Sequence, residues 1–100
     1  MNTTVYISIG NSDDKLTQAE WAHFYGSVTD WIDEYASAIH GRWVSEPTSP
    51  YQNACWCIEI DGGAGRLREG LAHVADTFRQ DSIAWAPAST EFIAAKALDQ

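Results

Sequence analysis

The spacing of apolar residues switches between two periods along this chain, and the order of the switches limits the fold more than any single residue does. Val5, Ile7 and Ile9 alternate with Thr4, Tyr6 and Ser8, the period-two pattern of a strand with one apolar face, and Gly10 ends it. Trp21, Tyr25, Val28, Ile32 and Tyr35 then recur at steps of four and three, with Phe24 and Trp31 widening the stripe. That spacing predicts a helix over 18–37. Thr17-Gln18-Ala19-Glu20 fits a capping box at its start, and Leu16 and Trp21 suit a hydrophobic staple. A second strand is expected over 38–46, anchored by Ile39, Trp43 and Val44, and broken by Pro47-Thr48-Ser49-Pro50. A third follows over 55–60, with Trp56, Ile58 and Ile60 on one side and Cys55, Cys57 and Glu59 on the other.

After the turn Asp61-Gly62-Gly63-Ala64-Gly65, Leu67, Leu71, Val74 and Phe78 mark a second helix, in which Gly70 costs about 1 kcal/mol. A short fourth strand is expected over 82–86, with Pro87 stopping it, and a short terminal helix over 90–98. Strand, helix, strand, strand, helix, strand is the ferredoxin-like α+β order. Right-handed crossovers place both helices on one face of a four-stranded antiparallel sheet. The other face is left open. It is expected to carry Tyr6, Ser8, Cys55, Cys57 and Glu59, together with either His40, Arg42 and Val44 or Ile39 and Trp43 from the second strand. The alternation in that strand does not decide between the two sets.

One hundred residues, 45% of them hydrophobic and five of them tryptophan, suffice for one core and predict a single domain. The opening Met-Asn-Thr-Thr has no basic or apolar stretch of a signal peptide, and no apolar run approaches the ~18 residues of a membrane span. The expectation is a soluble, cytoplasmic protein. A net charge of −8 repels duplex nucleic acid, and the six Lys and Arg are scattered. The fourteen acids are also dispersed, unlike the dense arrays of a nucleic-acid mimic.

Few residues carry chemistry. Cys55 and Cys57 lie two apart in a strand, about 7 Å at Cα, at or beyond the limit for an easy disulfide. A C-x-C pair is a weak metal motif; His23 and His73 fall on helices, and His40 alone lies near the sheet. His40 with Cys57 or Glu59 could form a nucleophile–base pair, but nothing supplies an oxyanion hole or a third, orienting group. Asn11-Ser12-Asp13-Asp14 could offer carboxylates to a cation, yet an Asx-type turn leading into a capped helix explains the stretch without a ligand. Gly63, Gly65 and Arg66 form the best anion site in the chain, although the turn is neither a Walker A loop nor a dinucleotide fingerprint. Tyr51, Gln52 and Asn53, on a proline-stiffened loop, are candidate partner contacts.

The strings VYISIGNSDDKLTQAEW, WVSEPTSPYQNACWCIEI and RQDSIAW resemble small uncharacterised proteins of actinobacteriophages and their hosts. The resemblance implies a phage accessory role, in the host cytoplasm, and names no activity or site residue. Together the residues predict a non-enzymatic protein–protein interaction module, homodimeric through the open face at Tyr6, His40, Trp43, Cys55, Cys57 and Glu59. It is expected to hold no cofactor or metal and to bind itself and a host protein. The alternative is a small-molecule protein, for a nucleotide or other anion, combining the open face, the glycine-rich turn and the Asn11–Asp14 loop.

Overall fold

The computed structural model describes residues 2–11, 13–46, 48–49 and 51–97. The elements are β1 (Thr3–Gly10), α1 (Gln18–Tyr35), β2 (Ala38–Val44), β3 (Asn53–Ile60), α2 (Ala64–Thr77) and β4 (Ala84–Ala88). They form one antiparallel sheet in the order β2-β3-β1-β4. That order, with both helices over one face, is the ferredoxin-like arrangement. The core is what the strand alternation selects. Val5, Ile7, Ile9, Trp56, Ile58 and Ile60 are buried against Phe24, Val28 and Ile32 of α1 and Leu67, Leu71 and Val74 of α2.

The expected capping box is present. The Thr17 hydroxyl accepts from the Glu20 N–H at 3.1 Å, and the Glu20 carboxylate accepts from the Thr17 N–H at 3.0 Å. α1 stops at Tyr35 rather than 37 because the Ser37 N–H donates to the Glu59 carbonyl, which draws the chain into the sheet. α2 ends in a Schellman arrangement. Arg79 adopts φ 59°, and the Gln80 N–H donates back to the Ala75 carbonyl at 2.8 Å.

Three expectations change. β4 runs two residues later than 82–86 and includes Pro87, which stands opposite Val5. β4 is an edge strand, so a proline whose missing N–H faces outward removes no ladder bond. β2 ends at Val44 rather than 46. The terminal helix does not form: residues 89–97 carry neither helix nor strand, and Leu98 lies outside the described residues. Nine residues are too few to meet the cost of helix nucleation without a surface to pack on, and every residue from Ala86 to Ala97 is exposed.

Candidate functional site: the open sheet face

Which β2 residues reach the open face is settled by an irregularity that neither alternation allowed for. Ile39 stands opposite Ile58, but Gly41 stands opposite Cys57, so His40 is an extra residue in the ladder. A bulge reverses the in–out sense beyond it. Since partners across an antiparallel pair share a face, Trp43, opposite Cys55, lies on the open side, and His40 lies there too, with its ring beside Glu59. Ile39, Arg42 and Val44 lie on the helix side. The Arg42 guanidinium sits 6.0 Å from the centre of the Tyr25 ring, over the α1 side of the sheet. Each expected β2 set is therefore right in one residue, His40 of the first and Trp43 of the second, and Arg42, Val44 and Ile39 are corrected to the helix side.

The open face is built in cross-strand rows. Gly41, Cys57, Tyr6 and Ala86 make the central row, and Trp43, Cys55, Ser8 and Ala84 the next. Trp43 folds down across Gly41: a methyl group there would stand 3.2 Å from the indole carbons. The indole is nevertheless 55% exposed, and Tyr6 is also exposed. Cys57 is only 8% exposed, because Tyr6 and its other neighbours cover it. Cys57 holds the Tyr6 phenol above the usual tyrosine value, first as a hydrogen-bond partner and then through thiolate charge. His40 Nε2 lies 3.8 Å from Glu59 Oε1 on the neighbouring strand. Of the two partners expected for His40, Glu59 stands beside it, and no hydrogen bond joins His40 to either thiol. Both cysteines are free. Among the described residues no cluster of three His, Cys, Asp or Glu side chains could hold a metal ion.

Sequence reasoning missed β4's contribution. Ala84, Ala86 and Ala88 face the open side and make its outer strip flat, while Trp85 and Pro87 face the helices. The signal was the alternation in Ala-Trp-Ala-Pro-Ala, hidden by reading Pro87 as a stop.

The remaining candidates do not join this face. The glycine-rich turn follows Ile60, which pairs with Thr3 at one end of β1; Asn11 to Asp14 leave the other end. Eight strand residues, about 26 Å, separate them, so the composite small-molecule site of the alternative reading is not formed. Gly63 is the α2 N-cap with no side-chain cap, and it packs against Tyr35. Arg66 lines a shallow groove with Trp31, Tyr35, Glu69, Gly70 and His73, where the Glu69 carboxylate opposes an anion.

Asn11 is buried and fully used. Its Oδ1 accepts from the Leu16 N–H and its Nδ2 donates to the Leu16 carbonyl, each at 3.0 Å, and also to Gln52 Oε1. Asp14 takes φ 56°, and Asp13 pairs with Lys15. The stretch is a corner; Ser12 lies outside the described residues. Gln52 exchanges amide bonds with Gln18, and Asn53 starts β3, its N–H donating to the Ser45 hydroxyl. Of the loop candidates Tyr51 alone projects freely; Pro47 and Pro50 lie outside the described residues.

The chain matches no protein-family model and no curated protein. Among solved structures it is similar to a DUF3240 family protein from Shewanella baltica OS155. That protein is 13% identical over 95% of this chain and 97% of the other, with a TM-score of 0.50. A dimeric ferredoxin-like protein from an uncultured marine organism is 8% identical, over 94% and 93% of the two chains, with a TM-score of 0.36. The first likeness shows the fold. Neither structure is described as a phage protein, and the resemblance to actinobacteriophage proteins gains no support from them. No helix among the described residues is long and apolar enough to cross a membrane.

Proposed function

We propose that the protein is a non-enzymatic interaction module that pairs with a second copy of itself through the open sheet face. The observation that carries this reading is the central row: an exposed aromatic, a covered thiol, a glycine and an alanine, with Trp43 folded beside them and one weak ion pair at the margin. Aromatic anchors amid small, uncharged neighbours are the make-up of an interface core. The cytoplasmic phage accessory setting, with a host protein as further partner, belongs to the same proposal and is supported by the sequence resemblance alone.

Sedimentation equilibrium tests it. The wild-type chain is expected to dimerise. Cys57→Arg and Ala86→Arg, which set a charge on the central row, are expected to give folded monomers. Ala86 is exposed, so that variant keeps its fold even where Cys57→Arg disturbs packing. A wild-type monomer, or a dimer unaffected by Ala86→Arg, refutes the face-to-face pairing.

A further inference from the structure

Four strands about 4.8 Å apart and at most eight residues long span a plane of at most about 500 Å². A stable interface buries roughly 800 Å² of accessible surface on each partner. A second contact, from a part of the chain beyond the sheet, would add to the area that the proposed face supplies.

The C-terminal arm, 89–97, is placed to supply it. Phe92 and Ile93 are 92% and 97% exposed, the most exposed large apolar residues among the described ones. The arm stretches the molecule to 58 Å along its long axis against 19 Å in thickness, with a radius of gyration of 16.2 Å. A compact domain of this length has about 13 Å. Two adjacent large apolar side chains held clear of their own domain lack the burial that such groups ordinarily find.

A matching groove lies between α2 and β4. It encloses about 390 Å³ over a floor of Leu71, Ala75, Ile83 and Trp85, with Arg68 towards one end and Asp76 towards the other. The Arg68 guanidinium lies 5.4 Å from the Trp85 ring centre. The arm carries Glu91 before its apolar pair and Lys96 after it. An arm running from the Arg68 end to the Asp76 end sets Glu91 by Arg68, Lys96 by Asp76, and Phe92 and Ile93 over the floor.

We infer that the arm of each copy seats Phe92 and Ile93 in the α2–β4 groove of a second copy. The chain's own groove is a poor fit. Ala88 stands opposite Thr4, at the end where α2 begins. The arm would have to reverse at once through Ser89-Thr90, which lack the glycine or asparagine of tight reversals. An extended nine-residue arm spans up to about 30 Å. Two sheets packed face to face are about 10 Å apart, so the arm can pass the partner's β4 edge. Reciprocal exchange closes a twofold dimer.

The inference rests on self-association, and one set of sedimentation experiments separates the two readings. Phe92→Ser/Ile93→Ser removes side chains that are almost fully exposed on their own chain. It is expected to weaken the dimer about tenfold or more while leaving the far-UV spectrum and melting midpoint of the monomer unchanged. Lys96→Glu is expected to weaken it too, and Asp76→Lys in the same chain to restore it. If the double serine variant dimerises as the wild type does, the arm inference is wrong and the sheet-face reading stands. If it weakens the dimer while Ala86→Arg does not, the face reading falls and the arm stands. Failure of Asp76→Lys to rescue Lys96→Glu overturns the groove as the arm's seat, and a wild-type monomer overturns both readings.

Discussion

Gly70 lies in the middle of α2, where a glycine costs a helix about 1 kcal/mol relative to alanine. By propensity alone Gly70→Ala should stabilise the protein. The structure reverses the sign, because the added methyl would stand 2.3 Å from the Trp31 ring, which lies flat over this position. Trp31 cannot simply move aside: the ring of Tyr35, one turn on, is nearly parallel to it at 5.7 Å and itself rests on Gly63. Overpacking of this kind typically costs 1–3 kcal/mol. Gly70→Ala is therefore expected to lower the unfolding free energy by up to about 2 kcal/mol in urea titration, the clash less the helix-propensity gain, and a stabilised variant would show that Trp31 has another place to go. Gly63 at the α2 N-cap and Gly70, seven residues on, face Tyr35 and Trp31, four apart on α1, and form part of the helix–helix contact. Each glycine has a plausible local reading on its own, as a turn residue or a helix defect. Their joint use is visible only once the two helices are packed.

At the level of elements, the start of α1 shows how local chemistry becomes stability. Glu20 accepts from the Thr17 N–H and from Arg79 at 2.8 Å, and these two partners, the backbone bond foremost, hold its carboxyl below its ordinary value of 4.5. The unfolded chain, with the higher value, binds the proton first. The stabilisation is thus complete above pH 4.5 and is lost as pH falls through the lowered folded value. Melting curves between pH 6 and 3 should show Glu20→Gln destabilised at the upper end and converging on wild type at the lower; a constant gap would place the effect elsewhere. This cap was legible because Thr-x-x-Glu is a local device whose partners lie within four residues. The core strands were legible for the same reason, as a period of two needs no knowledge of neighbours. The bulge at His40 was not, because it exists only in the pairing of β2 with β3. The terminal helix over 90–98 was misread because alanine and leucine favour a helix that has no surface in its own domain to pack on.

For the whole molecule, charge decides how any self-association responds to salt. Two copies bearing −8 each repel as they approach, and the repulsion acts across the entire dimer. The open face itself carries one His–Glu pair at its margin, and the arm contributes Glu91 and Lys96 against Arg68 and Asp76. Added salt weakens those few short-range attractions, but it screens the long-range repulsion more, because the dispersed acids lie farther apart than the roughly 8 Å Debye length at 0.15 M. Burial of Phe92, Ile93, Trp43 and Tyr6 is indifferent to salt at these concentrations. Dimerisation should therefore tighten by about threefold or more between 10 mM and 150 mM sodium chloride, as read by sedimentation equilibrium. An interface held mainly by ion pairs would loosen over the same range. The sign of the salt slope thus separates association through apolar surface, which both the sheet face and the arm require, from association through charge.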